Sequence, residues 1–256
     1  MSGYEVFASY YDALTADVDY AARADHLVML FDRHGKNTHQ VLDLACGSGS
    51  LIVQMLQRGY DMIGVDSSSE MLSVAREKAA YFDNQPLLLC QDMRQLDLYG
   101  TVDAAVCMLD SFNHLGSTVE VAEVLRRLGL FIRPDGLLIF DANTPRKHRV
   151  TLANNTFVLE QSGLYCVWRN QYVPSRCGVD MQIDFFVENG DGYIRETEWV
   201  RERAYTMSTW KRLLRDAGFD LLRVYGELSE DAPTEDADRW VFVTRNRAIY
   251  QQNGWE

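Results

Sequence analysis

The chain has 256 residues, 47% hydrophobic and 24% charged, enough for one α/β domain carrying an insertion. A formal net charge of -12 excludes a generally basic, phosphate-tracking surface, so nucleic acid and membranes are not expected as partners. No run of about 18 apolar residues occurs, and residues 1–12 lack the basic-then-apolar pattern of a secretory signal, so a cytoplasmic location is expected.

Residues 4–15 are aromatic-rich and read as helical. Residues 20–34 have helical periodicity, with Leu27, Leu30 and Phe31 on one face. Residues 40–45 form a short apolar strand, 47–49 a turn, 50–58 a helix stopped by Gly59, and 61–66 a second strand. A helix follows over 69–82 and a third strand over 87–90. The fourth, over 102–109, is apolar throughout and suits burial on both faces. Residues 119–132 are helical. The turn Arg133-Pro134-Asp135-Gly136 leads into a fifth strand over 136–141, and Arg146 to Arg149 read as a solvated basic loop. Strands alternating with helices imply right-handed crossovers and a parallel sheet.

The rhythm then changes. Strands are expected over 156–168, 179–187 and 193–205, with Asn189-Gly190-Asp191-Gly192 as a hairpin turn. Thr206 caps a helix to Ala217, Gly218 stops it, and strands over 220–227 and 239–245 close the fold. The domain division is therefore an α/β domain of residues 1–148 and 206–247, and an antiparallel β insertion over 149–205. Trp168, Trp199 and Trp210 read as packing between the two. Cys46, Cys90, Cys107, Cys166 and Cys177 include no C-x-x-C pair and suggest neither a disulfide frame nor a metal site. His26, His34, His39 and His148 show no metal-ligand spacing either, and no metal is expected.

The chemistry concentrates in Val41-Leu42-Asp43-Leu44-Ala45-Cys46-Gly47-Ser48-Gly49. A buried strand delivers a carboxylate, then a turn whose glycines admit a ligand close to the backbone, then a helix N-terminus. About 20 residues on, Ile63-Gly64-Val65-Asp66 ends the next strand in an acid, where α/β nucleotide binders hold ribose hydroxyls. A dinucleotide oxidoreductase would want a third glycine where Ile52 stands. The carboxylate of Asp43, four residues before the first glycine, suits a cationic amino-acid group better than a pyrophosphate.

Asp43 to Gly49 resembles the first motif of class I S-adenosylmethionine-dependent methyltransferases. The opening Phe7-Ala8-Ser9-Tyr10-Tyr11-Asp12, with Tyr20, resembles a small bacterial subgroup of them that carries a β insertion. The resemblance implies a doubly wound, Rossmann-like sheet of seven strands with the last antiparallel. S-adenosylmethionine would be the cofactor and S-adenosylhomocysteine the product. It implies that Ala45, Cys46, Gly47 and Gly49 lie against the cofactor, that Asp43 orients its amino-acid end, and that Asp66 holds the ribose beside Ser67 and Met71. Asp92 would take the adenine's exocyclic amine, Met93 would pack on the ring, Leu109 would run beneath the methionine part, and Tyr11 and Tyr20 would close over the cofactor. For a protonated acceptor, His114 is the first candidate base and Asp110 the second, with Arg203 and Tyr205 lining the acceptor site. The acceptor, expected to be a small molecule, and the oligomeric state are not encoded in any motif. A protein that binds the cofactor without turning it over, and less so a nicotinamide-dependent oxidoreductase, are the rival readings.

Overall fold

Alternating burial along the central strands places a core on each face of one sheet. In the computed structural model, which describes residues 12, 15, 17–161 and 163–247, β1 (Gln40–Leu44) sends Leu42 and Leu44 to one face and Val41 to the other. β4 (Val102–Cys107) does the same with Ala105 and Cys107 against Ala104 and Val106. β2 (Asp61–Asp66), β3 (Leu87–Cys90) and β5 (Ile132–Asn143) complete the parallel set.

α1 (Tyr20–His34), α2 (Ser50–Gln57) and α3 (Ser69–Ala79) cover one face. α4 (Thr118–Phe131) and α5 (Met207–Asp216) cover the other. There Trp210, fully buried, packs against Phe112, Phe140, Tyr205 and Phe242. The caps follow the sequence: Asp19 on α1, Ser68 on α3, a Ser117–Glu120 capping box on α4 and Thr206 on α5.

The last strands, β10 (Phe219–Gly226) and β11 (Arg239–Asn246), extend this sheet to the order β10-β11-β5-β4-β1-β2-β3. β11 is antiparallel to both its neighbours. Strand order reverses between β1 and β4, which opens the ligand crevice of such sheets beyond their C-terminal ends.

A second sheet of four antiparallel strands, β6 (Thr156–Gln161), β7 (Leu164–Val173), β8 (Gly178–Asn189) and β9 (Gly192–Arg203), carries its own core of Leu164, Cys166, Val179, Met181, Ile183 and Phe185 against Leu152. Four local expectations change. The segment 156–168 is a hairpin and not one strand: Gly163, at φ +77, turns it, and apolar residues on both sides of that turn masked the break. The turn at 133–136 is an excursion within β5, with Val102 opposite Ile132 and Ala104 opposite Leu137. Arg146 to Arg149 do not form a solvated loop. Residues 147–152 make a π-helical turn, His148 is fully buried, and Arg146 pairs with Asp238 at 2.5 Å. Trp168 is half-buried within the small sheet and Trp199 is 70% exposed, so Trp199 packs between no layers.

Candidate functional site

β1 ends in a turn built from left-handed residues: Ala45 at φ +61, Gly47 at +53 and Gly49 at +75. The Gly47 N–H donates to Asp66 Oδ2 at 2.8 Å, and Ser68 N–H donates to Asp66 Oδ1 at 2.9 Å. Asp66 therefore fastens the glycine turn to the start of α3. A Cβ on Gly49 would lie 2.7 Å from the Ala75 Cβ, so α2 and α3 can approach only because this residue is glycine. Gly49→Ala is expected to destabilise the fold by about 2–4 kcal/mol, from left-handed strain plus overpacking. Urea unfolding checks this, and a loss under about 0.5 kcal/mol would mean that the turn relaxes freely.

Two cavities meet at this turn. The smaller, about 40 Å³, is lined by Tyr20, Arg23, Asp43, Ala45, Cys46, Gly47, Leu51, Met108, Leu109 and Ser111. The larger, about 220 Å³, shares Ala45 and Ser111 and extends past Asp66, Ser67, Asp92, Met93, Arg94, His114 and Glu120. Asp43 is 2% exposed and its Oδ2 has no hydrogen-bond partner. Burial first, then the neighbouring charge of Asp66, pushes its pKa up to about 8. An unpartnered carboxyl in a small cavity beside a glycine cradle fits a cationic ligand group. At the far end Arg94 bridges Asp92 and Glu120, and its hydrogen bonds hold the Asp92 carboxyl below the usual range.

The loop after β4 is held against strain. Leu109 and Asp110 are both left-handed, at φ +55 and +53, and their N–H groups donate to the two oxygens of Asp141 at 3.0 and 2.6 Å. Asp141 is fully buried at the end of β5. Arg239, 7% exposed, reaches Asp141 at 2.8 Å and Asp110 at 2.6 Å. Arg23 joins the cluster through Glu227 at 2.5 Å.

Behind this loop Glu202, at the end of β9, accepts from Asn143 and pairs with the buried His148, each at 3.0 Å. Asn113 donates to the Asn143 and Arg203 carbonyls and so clips the small sheet to β5. Asp110, His114 and Glu202 each bring one ligand-type atom to within 4.8 Å of the others. Both carboxylates already have a charged or N–H partner, which makes the trio a polar cluster and a poor cation cage.

Of the residues singled out by sequence, Tyr20, Asp43, Ala45, Cys46, Gly47 and Leu109 line the smaller cavity, and Asp66, Ser67, Asp92, Met93 and His114 the larger. Gly49 and Met71 line neither of these cavities; Gly49 lies against Ala75 and Met71 is 6% exposed. Tyr11 lies outside the described residues. Arg203 donates to the Gly116 carbonyl and lies over the Tyr205 ring, whose hydroxyl donates to the Leu115 carbonyl at 2.8 Å. Neither residue lines either of these two cavities, and burial pushes the Tyr205 hydroxyl up to about 12.

A methyltransferase domain model matches residues 41–136, the segment from β1 to the excursion in β5. A Bacillus subtilis (strain 168) protein, YqeM, named for a methyltransferase, is 30% identical over 241 residues, covering 93% of this chain and 95% of that one. The chain belongs to the class I S-adenosylmethionine-dependent methyltransferases. The solved structure of an S-adenosylmethionine-dependent methyltransferase from Clostridium acetobutylicum ATCC 824 is 29% identical, with a TM-score of 0.85 over 94% of this chain and 98% of that one. A glycine/sarcosine N-methyltransferase from Aphanothece halophytica is 25% identical over 235 residues, covering 88% of this chain and 82% of that one.

Sequence reasoning about this methyltransferase missed Asp141, Arg239 and His148 as site residues, and met Glu202 only as part of the Glu202-Arg203-Ala204-Tyr205 stretch that resembles the subgroup. Only Asp141 carried a signal: like Asp66, it ends an apolar strand at the sheet's C-terminal edge. No helix among the described residues is long and apolar enough to cross a membrane.

Proposed function

We propose that this methyltransferase transfers a methyl group from S-adenosylmethionine to a nitrogen of a small molecule, in the cytoplasm. The observation that carries the reading is the orphaned, buried oxygen of Asp43 in the smaller of two joined cavities at the sheet's topological switch point. The amine named for the Aphanothece relative and the acidic cluster around His114 support nitrogen as the acceptor atom. The net charge of -12 speaks against nucleic acid.

In this reading Asp43 holds the cofactor's ammonium group, Asp66 its ribose, and Asp92 with Met93 its adenine. Ala45, Cys46, Gly47 and Gly49 give backbone contact, Ser67 and Met71 close the adenosine side, and Leu109 lies under the methionine part. Tyr20 covers it. Residues 149–205 act as a lid that excludes water from the acceptor, and residues 1–148 with 206–247 form the binding domain. Bound S-adenosylmethionine supplies an electrophilic methyl group and leaves as a neutral thioether, so no acid is required. The protein's part is alignment, worth several kcal/mol, and His114 takes the proton of the acceptor amine. Asp110 orients His114's surroundings, while Tyr205 and Arg203 hold the loop at Leu115 and Gly116 in place.

The test is calorimetric titration with S-adenosylmethionine, S-adenosylhomocysteine and NAD, then mass spectrometry of a panel of small amines, alcohols and carboxylic acids incubated with enzyme and cofactor. Micromolar adenosyl binding and a methylated amine support the reading. Methylated alcohols or acids alone would remove nitrogen from it. Cofactor binding with no product from any panel compound would favour a non-catalytic cofactor binder.

Asp43 adds a pH signature. Its raised pKa makes the folded protein bind more protons than the unfolded chain between about pH 4 and 8, so stability falls as pH rises through that window and levels off above it. A cationic group bound beside it reverses the shift. Cofactor binding at pH 7 is therefore expected to release close to one proton, read from the buffer dependence of the calorimetric enthalpy, and to release none in Asp43→Asn. Equal proton release in both proteins would take Asp43 out of the binding site.

A further inference from the structure

Arg23, on α1, is 9% exposed and lines the smaller cavity together with Asp43. Among the described residues its side-chain hydrogen bonds go to Glu227 alone. Nη2 donates to Glu227 Oε1 at 2.5 Å, Asp141 Oδ2 stands 3.9 Å from Nη1, and Nε is buried without a partner. The guanidinium edge formed by Nε and Nη2 matches the two oxygens of a carboxylate. Elsewhere in the chain that edge is filled: Arg94, Arg126 and Arg195 each give both Nε and Nη2 to one carboxylate, those of Asp92, Glu123 and Asp184. On Arg23, the most buried of the four, the edge is half filled.

The smaller cavity therefore presents two buried groups of opposite polarity, each with one atom unsatisfied: Nε of Arg23 and Oδ2 of Asp43. An ion pair serving the fold alone would close both bonds at such a site, since an unmade one leaves a desolvated donor. A ligand that satisfies both atoms carries a carboxylate and an ammonium close together, which is the head group of an α-amino acid. Glu227 is placed to give way to it. It follows β10, its side chain is 39% exposed, and Arg239 Nε lies 3.3 Å from the same Oε1 that Arg23 holds. Arg239 and the positive charge of Lys147 remain beside Glu227 when Arg23 turns to a ligand.

We propose that Arg23 receives the α-carboxylate of the cofactor through its Nε–Nη2 edge, and that Glu227 is an internal stand-in which this carboxylate displaces. This rests on the placement of the cofactor's ammonium group beside Asp43. Glu227 thereby lowers the affinity of the site: each binding event must first take Arg23 from a tethered competitor. The same exchange ties α1 to the cofactor and releases it from the segment after β10.

The experiment is calorimetric titration of the full chain at pH 7 with S-adenosylhomocysteine and with its decarboxylated derivative, which keeps the amine and lacks the carboxylate. The unaltered protein is expected to prefer S-adenosylhomocysteine by about tenfold or more. In Arg23→Met that preference is expected to shrink to less than about threefold, through weaker binding of S-adenosylhomocysteine and nearly unchanged binding of the derivative. Arg23→Lys, which keeps the charge without the fork, should retain part of the preference. In Glu227→Gln S-adenosylhomocysteine is expected to bind about threefold tighter or more, with the derivative unaffected. A loss of fold would weaken both ligands together and leave their ratio unchanged, so the ratio isolates the carboxylate contact. Equal affinities for the two ligands in the unaltered protein, or a preference that survives in Arg23→Met, would overturn the proposal. Unchanged or weaker S-adenosylhomocysteine binding in Glu227→Gln would strike Glu227 as the competitor. Asp43→Asn should weaken both ligands by a similar factor, because both keep the amine. If it does so while Arg23→Met keeps the preference, the carboxylate contact fails and the placement beside Asp43 stands. If Asp43→Asn weakens neither ligand, that placement fails and the proposal falls with it.

Discussion

Arg239→Met is expected to destabilise the protein by about 3–5 kcal/mol at pH 7, among the largest single-residue losses this fold can show. Arg239 is 7% exposed and faces Asp141 and Asp110, the first of them fully buried. Methionine fills much of the volume but leaves two carboxylates without their cation. Arg23, 3.9 Å from Asp141, cannot replace it at contact distance. The loss has a pH signature whose sign is fixed. Burial works against ionisation of Asp110, yet Arg239, Lys147 and His114 outweigh it and hold the carboxyl below the usual range. A depressed carboxylate contributes stability that is present above its unfolded value, near pH 4, and lost as pH falls through its folded one. In Arg239→Met the largest charge that holds Asp110 ionised is gone, so the gap between variant and parent should narrow as pH drops below about 4. Urea unfolding at pH 7 and at pH 3.5 gives both numbers. A gap below about 1 kcal/mol at pH 7, or one that widens in acid, would mean that the cluster is not stabilising in the folded state.

The same cluster shows what sequence could not reveal. The glycine turn, the acid at Asp66 and the Thr206 cap are local devices: each works through neighbours within a few positions, and each was legible in the chain. Alternation and crossover handedness gave the parallel sheet, while the family resemblance implied seven strands with the last antiparallel. Asp141, Arg239 and Glu227 meet only because β11 returns antiparallel beside β5, which brings residues 98 positions apart into hydrogen-bond contact. No periodicity encodes such a meeting. His148 misled for a related reason. Three basic neighbours read as solvent-facing, yet the π-helical turn rotates one of the four residues inward against Cys177 and Glu202. The hairpin at Gly163 was missed because apolar runs flank it on both sides, although Glu160-Gln161-Ser162-Gly163 breaks them where the backbone makes two strands.

Asp66→Ala is expected to lower affinity for S-adenosylhomocysteine by about 10²–10⁴-fold, from the loss of two charge-assisted hydroxyl bonds of about 1.5–3 kcal/mol each. The structure adds a second consequence that a ribose contact alone would not produce. Asp66 receives the Gly47 and Ser68 N–H groups, so alanine also leaves the glycine turn unfastened, which costs about 1–3 kcal/mol of stability. Asp66→Asn separates the two effects, since its amide oxygen can still take one of those N–H groups. It should recover much of the stability but little of the affinity. A third effect runs through Asp43, whose pKa is raised in part by the charge of Asp66. With that charge removed, Asp43 ionises more readily before the cofactor arrives, and the proton released on binding at pH 7 should shrink in Asp66→Asn. Calorimetry in two buffers measures affinity and proton release together. Affinity within about threefold of the parent in both variants would remove Asp66 from the ribose site. Lost affinity with undiminished proton release would instead show that Asp43 is raised by burial alone, and that the two carboxylates act on the cofactor independently.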